Sequence, residues 1–438
     1  MTNSVIRTLD LTAGFANQQV NQLVPRASVD VNIALESVLP LIDDVAARGL
    51  QAVVDVTIAR DGVDPNPVRV SQDEIDAAVA NLEPQLRRAI EESIDRVRKV
   101  SRANLPQNTS VTLAIDAKVR QRWQPVDSVG LYVPGGKAVY PSSVIMNVVP
   151  AQVANVPRLA IASPAQKDFG GRPHPTVLAT AGLLGVTEIY SMGGPAAVAA
   201  FAYGLPQLEM DPVQLVTGPG NIYVTAAKRA LRGRIGIDSE AGTTEILVLA
   251  DSSADARLIA YDLVSQAEHD EAAASVLVTD SAELAAKVAA ELPGLIAATH
   301  HSERVATALA GQQSALVVVA TWTDAVRFSN EYATEHLEIH SVDDEATLEQ
   351  ITNAGAIFLG KYSPVSLGDY MAGSSHVLPT GQQAKFGSGL GVHSFLRVQQ
   401  VIDYGRAGLE PIATLVDGFA QAEGLPAHGQ AITARFND

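Results

Sequence analysis

With 438 residues the chain has room for two to four domains of roughly 100 to 200 residues each, which excludes a single small binding module. Hydrophobic residues are 47% and charged residues 18%, enough apolar material for packed cores and too much for wholesale disorder. The 31 basic and 48 acidic residues leave a net charge of -17 with no run of Lys or Arg, so nucleic acid is not expected as a main partner.

The first hundred residues read as helical. Ser71 and Glu74 form an S-x-x-E capping box ahead of Ile75, Val79, Leu82, Leu86 and Ile90. From residue 129 short apolar runs alternate with helical stretches: GLYVP, then 142–155; LAIAS, then 174–185; EIYSM, then 195–203; VQLVTG, then 221–231. That pattern predicts a βαβ series with a mostly parallel sheet. A second series begins at EILVLA (245–250), continues through SVLVTD and ALVVVA, and closes near HLEIH and AIFLG. Two α/β units follow, with paired glycines marking loops at strand ends. Beyond residue 391 the pattern returns to helices, with LPAHG (425–429) as a late turn. Such a tail is too short to fold alone and is expected to dock on another domain or subunit.

Cysteine is absent, which removes disulfides, Cys-ligated zinc, iron–sulfur clusters and a thiol nucleophile together. The opening MTNSVIRTLDLTAG lacks a basic segment followed by an apolar core and does not read as a secretory signal. Pro, paired Gly and polar residues interrupt the longest uncharged stretches, 138–157 and 189–208, unlike the roughly 20 apolar residues of a membrane span. A soluble, cytoplasmic protein without a membrane partner is expected.

Nine histidines bound the search for metal ligands. On the predicted helix 254–269, Gln266 and His269 lie about 60° apart on the side that carries Leu258, Ile259 and Leu263, so both should point inward. By spacing alone this is a buried histidine hydrogen-bonded by its neighbours, and Gln is an uncommon zinc ligand. The segment TEHLEIH admits two readings. As a helix it would let His336 and His340 share one metal, as in a zinc protease, although the order is H-L-E-I-H rather than H-E-x-x-H. As a strand, which Leu337 and Ile339 favour, it puts His336, Glu338 and His340 on one face, with Glu335 and His336 at the strand's start as an acid/base pair beside a cleft.

No G-x-G-x-x-G stands between a strand and a helix. GPGN (218–221) does, so its backbone N–H groups could meet a cofactor phosphate, with Lys228 one to two turns on; a plain βα turn explains it equally. PGG (134–136) and GG (193–194) are further glycine joints, and Asp343, Asp344 and Glu345 read as a helix N-terminus. SPVSLGDYMAGSSHVLPT (363–380) reads as one long ordered loop bearing Asp369 and His376, and long loops in compact domains are usually functional.

In this order, GLYVPGG, GPGN-YVT-AK, SQAEHD, ATEHLEI, SPVSLGDYMAG, HVLPT and AEGLPAH resemble the histidinol dehydrogenases, along nearly the whole chain. The resemblance implies two Rossmann-like α/β domains with small helical N- and C-terminal segments: 1–28, helical; 29–127 with 244–390, carrying zinc and catalytic residues; 128–243, binding NAD; and 391–438, helical and docked on the partner subunit. It implies a homodimer with one Zn2+ per subunit that oxidises L-histidinol through L-histidinal to L-histidine with two NAD+. The implied zinc ligands are Gln266, His269, Asp369 and His428, the last from the exchanged C-terminal segment of the other subunit. His336 is the implied general base and Glu335 the activator of water for the second oxidation. Thr244 stands at the Ser/Thr substrate position, Glu423 meets the substrate from the neighbouring subunit, Tyr132 and Asn221 contact NAD, and His376 supports the site.

Three positions depart from the family pattern. GGPAA (193–197) puts Ala196 where a Gln commonly touches NAD, Thr243 replaces a Pro, and AGSSH (372–376) replaces AGPNH. An alternative is a related NAD- and zinc-dependent dehydrogenase of another polar alcohol, such as a sulfonated diol, against which the carboxylate of Glu423 argues because it would repel a sulfonate.

Overall fold

The computed structural model describes residues 5–27, 31–135, 139–240 and 242–436. Its strands are β1 (Thr8–Leu11), β2 (Thr109–Ala114), β3 (Ala117–Pro125), β4 (Ser128–Tyr132), β5 (Arg158–Ser163), β6 (Glu188–Ser191) and β7 (Leu215–Thr217). There follow β8 (Gly236–Ile237), β9 (Glu245–Ala250), β10 (Ala274–Thr279), β11 (Ala315–Val319), β12 (His336–His340), β13 (Ala356–Leu359) and β14 (Leu396–Tyr404).

Two parallel sheets carry the fold: a five-stranded one ordered β6-β5-β4-β7-β8, and a six-stranded one ordered β1-β11-β10-β9-β12-β13. Every residue of β9, β10, β11 and β12 is buried, because helices cover both faces of the sheet. That is why β11 reads as a continuous apolar run, whereas β12 alternates polar and apolar residues although all of them are buried. Both sheets are Rossmann-like, and in each the strand order reverses at a switch point, between β4 and β7 in one and between β9 and β12 in the other.

Four segments differ from the sequence expectation. The segment 29–127 was expected to join 244–390, yet its helices Val31–Arg48 and Leu50–Asp61 pack on one face of the five-stranded sheet, and Gln72–Ala80 and Pro84–Ala103 join the layer on the other. An amphipathic pattern marks which side of a helix is buried, not which sheet buries it. Residues 1–28 are not simply helical: β1 extends the six-stranded sheet, pairing Thr8 with Leu316. The tail beyond 391 contains β14, which pairs antiparallel with β3 from Leu396 opposite Pro125 to Tyr404 opposite Ala117. Its partner lies far back in the sequence, and its exposed residues mix Arg397, Gln400 and Asp403 with Val398 and Ile402, so no apolar/polar alternation marks it. LPAHG is not a turn but the start of the helix Pro426–Thr433, with Pro426 at its first position.

The capping box forms as expected: Ser71 caps the helix Gln72–Ala80, with Glu74 accepting the Ser71 N–H at 2.8 Å. Asp343 caps Asp344–Leu348, accepting the Ala346 N–H at 3.0 Å. Among the described residues no helix is long and apolar enough to cross a membrane.

Candidate active site

Thr244 immediately precedes β9 and Glu335 immediately precedes β12, and these strands are parallel neighbours with His336 opposite Ile246. Their leading residues therefore meet at the amino ends of the strands. The Thr244 hydroxyl donates to Glu335 Oε2 at 2.7 Å, and the Glu245 N–H donates to the same oxygen at 2.9 Å. Gln266 Nε2 donates to Thr244 Oγ1 at 2.8 Å. His336 Nδ1 lies 3.0 Å from the Glu245 carbonyl oxygen. A carbonyl only accepts, so Nδ1 carries the proton and Nε2 is left as the basic nitrogen.

A buried ion pair braces this network. Glu245 is fully enclosed, burial pushes its carboxyl up from the usual range, and the Arg26 guanidinium beside it opposes that push. Glu245 Oε1 accepts the Gly381 N–H at 2.9 Å, and Arg26 also donates to the Tyr332 carbonyl at 2.6 Å. The 376–381 segment is thereby tied to the start of β9.

Gln266 is the last but one residue of the helix Ala256–Ala267 and is buried; because its nitrogen is turned to Thr244, its Oε1 is buried without a protein partner. His269 lies past the helix end and its side chain is 37% exposed, so it does not point inward as the helical spacing implied. It faces Asp369 instead, Nε2 to Oδ2, at 3.8 Å. Asp369 sits on a short helix, Val365–Tyr370, inside the segment expected to be one long ordered loop. His376 Nδ1 is 3.1 Å from the Asp369 carbonyl and its Nε2 is 3.1 Å from Ser143 Oγ; burial pushes its imidazole below the usual range. An orphaned buried amide oxygen, an imidazole and a carboxylate form a donor set that fits zinc, and a bound cation would satisfy the oxygen.

Glu423, just past the helix Ala413–Ala422, and His428, on the helix Pro426–Thr433, are exposed and are not gathered with His269 and Asp369 in the single chain. Among the described residues, the one group of three His or carboxylate ligand atoms within 4.8 Å of one another is Asp262, Glu338 and His340. The sequence reading noted Glu338 and His340 but missed Asp262, although it stands one helical turn before Gln266. HLEIH is a strand, which sets His336 and His340 roughly 13 Å apart along the backbone and removes the zinc-protease reading.

A cavity of about 660 Å³ opens beyond the carboxyl ends of β4, β5 and β6. Tyr132 and Asn221 line it from either side of the β4/β7 switch point, and Ser37, Thr57 and Asp61 close it from the two helices that sequence had assigned elsewhere. The buried Tyr132 hydroxyl accepts the Gly194 N–H at 3.1 Å, and burial pushes its phenol up to about 12. Asn221 caps the helix Ile222–Leu231, its Oδ1 accepting the Tyr223 N–H at 3.0 Å. Gly218 is required: its φ is +115°, and an added Cβ would meet the Tyr132 carbonyl oxygen at 2.0 Å. Lys228 is not a phosphate reader. It is buried against Asp238 and donates to the Gly218 carbonyl at 2.9 Å, while Asp238 accepts the Gly218 N–H at 2.8 Å. Ala196 is fully buried in the helix Gly194–Tyr203 and does not line the cavity. Gly136 of the PGG joint lies outside the described residues.

The family model for histidinol dehydrogenase matches residues 24–436. The histidinol dehydrogenase of Leifsonia xyli is 56% identical over 417 residues, covering 95% of this chain and 96% of its own length. That of Thermobifida fusca is 52% identical over 433 residues, covering 99% and 98%. The crystal structure of histidinol dehydrogenase from Elizabethkingia anophelis superposes with a TM-score of 0.93 at 29% identity, covering 100% of this chain and 99% of that one. The sulfonated-diol alternative finds no support in these matches. On the breadth and identity of these matches, the chain belongs to the histidinol dehydrogenase family.

Proposed function

We propose that the chain oxidises L-histidinol through L-histidinal to L-histidine with two NAD+, in the cytoplasm, as a homodimer with one zinc ion per subunit. The observation that supports this most directly is the link Gln266–Thr244–Glu335, beside a His336 whose Nε2 is left basic. It joins a metal-fit oxygen to a carboxylate and an imidazole base within one buried network.

Zinc, held by Gln266, His269, Asp369 and a second copy's His428, would supply a fixed point for the substrate's imidazole and amino nitrogens. Each oxidation sends a hydride to NAD+ and a proton to the protein. In the first, His336 Nε2 takes the hydroxyl proton as the alcohol becomes the aldehyde. In the second, Glu335 takes a proton from the water that hydrates the aldehyde, and the gem-diolate so formed loses hydride to give the acid. Without cysteine no thiohemiacetal can form, so the hydrate is the natural second substrate. Thr244 orients Glu335, and Glu423, supplied by the second copy, would attract the cationic end of the substrate. Tyr132 and Asn221 would hold NAD at the switch-point cavity.

The test is the NADH yield of zinc-loaded protein with excess NAD+ and limiting L-histidinol, run to completion. Two NADH per histidinol are expected; one, or none, would overturn the four-electron assignment.

A further inference from the structure

We propose that Glu338, together with Asp262, is a positioning pair that sets the spacing of the three elements bearing the zinc ligands and the base. The inference rests on the zinc site of the proposed function.

Glu338 is completely buried in the middle of β12, two residues beyond His336 and on the same face. Its Oε1 accepts the Val365 N–H at 2.8 Å. Val365 opens the helix Val365–Tyr370, one turn ahead of Asp369. The carboxyl of Asp262 hydrogen-bonds to Glu338, and Asp262 stands one turn ahead of Gln266 on the helix Ala256–Ala267. His340 Nε2 lies 3.3 Å from Glu338 Oε2. One side chain thus touches the helix of Gln266 and the helix of Asp369 while standing on the strand of His336, each time within a turn of the functional residue.

Two enclosed carboxyls cannot both be ionised cheaply. Burial, and then the charge of Glu338, push Asp262 up to about 8, so at neutral pH Asp262 keeps its proton and donates it. The contact is then a charge-assisted hydrogen bond rather than a repulsion, and the carboxylate left on Glu338 faces the amide of a helix start. Groups that orient metal ligands from behind change metal affinity by about 10- to 100-fold when removed.

The experiment measures zinc affinity of the full-length protein by chelator competition. Wild type is compared with Asp369→Ala, Glu338→Ala and Glu338→Gln. Glu338→Ala is expected to weaken zinc binding about 10- to 100-fold. Glu338→Gln, which can still accept from Val365 and can donate to Asp262, is expected to stay near wild type. If Glu338→Ala does not fold, Asp262→Ala, which frees Glu338 from the helix of Gln266, is expected to weaken zinc binding in its place. Unchanged affinity in the alanine variants, or Glu338→Gln as damaged as Glu338→Ala, overturns the inference while leaving the zinc site standing. Two zinc ions per subunit in wild type, falling to one in Glu338→Gln, would make the cluster a metal site and overturn it too. A wild type that binds no zinc, or an Asp369→Ala variant that binds it normally, overturns the zinc reading itself and the inference with it.

Discussion

The hydroxyl of Thr244 donates to Glu335 at 2.7 Å while accepting from Gln266 at 2.8 Å, so one oxygen connects a proposed zinc ligand to a proposed base. Thr244→Val should release both partners and lower kcat by about 10- to 100-fold, the worth of a buried hydrogen bond to a charged group. Thr244→Ser, which keeps the oxygen, should remain close to wild type. Steady-state kinetics with saturating NAD+ separates the two variants, and a fully active valine variant would show the link to be dispensable.

His336 and His340 sit on one strand but have different work. His336→Ala should lower turnover by about 100- to 10,000-fold with zinc content unchanged, as loss of a general base predicts. His340→Ala should also retain its zinc. Metal analysis of the two purified variants beside their rates checks this, and zinc lost with His340 would contradict the ligand set.

Asp262 makes stability depend on pH. Its carboxyl stands at about 8 in the folded chain against an ordinary value of 3.8. Between roughly pH 4 and pH 8 the folded state holds a proton that the unfolded state releases, so this group's contribution to stability falls as pH rises through that window and levels off above it. Asp262→Asn removes the titration. Urea unfolding at pH 5 and pH 8 should show a smaller difference for the variant than for wild type, and equal differences would refute the shift.

Lys228 and Asp238 clamp both backbone groups of Gly218, whose loop leads to Asn221. Lys228→Met strands a buried carboxylate and should cost about 3 to 5 kcal/mol of stability. It should also weaken NAD+ binding, because the Gly218 loop loses its anchor. Denaturant titration together with calorimetric NAD+ binding tests both statements; a destabilised variant with normal NAD+ affinity would confine the clamp to folding.

On the C-terminal helix Ala413–Ala422 Leu415 and Phe419 are exposed, with Phe419 at 74%, and so is Leu425 just before the last helix. Placed on the surface between two copies, they would be covered. Phe419→Asp should shift the protein toward monomer in sedimentation and weaken zinc, since His428 would no longer reach the second site. A variant that stays dimeric with full zinc would remove the exchanged tail from the proposal.

Local pattern carried much of the fold and little of the metal site. EILVLA and HLEIH coincide with β9 and β12, the first because a strand buried on both faces reads as a nearly unbroken apolar run, the second because Leu337 and Ile339 alternate with polar residues. Ser71 and Glu74 were legible for a similar reason, since a cap satisfies its neighbours within four residues. TLDL and LRVQQVIDY were not, since what makes them strands is a partner far away in sequence. Asp262 was invisible in the same way: its carboxyl is informative only once Glu338 lies against it. Glu335 and His336 could be read as a pair at a strand start, whereas the ligand set Gln266, His269, Asp369 and His428 came from family resemblance alone. Spacing on a helix even misdirected His269, which lies past the helix end.

The pairing of β1 with β11 bears on how the molecule is made. Arg7, beside β1, donates to the Ser314 carbonyl across 307 positions of sequence. At common rates of synthesis, β1 leaves the ribosome roughly 15 to 60 s before its neighbour. The chain between them includes the whole five-stranded sheet, which can form in that interval. When β11 emerges, the short strand that covers its open side is already waiting. The newest edge of the sheet therefore meets its own cover before it can meet the edge of another nascent copy.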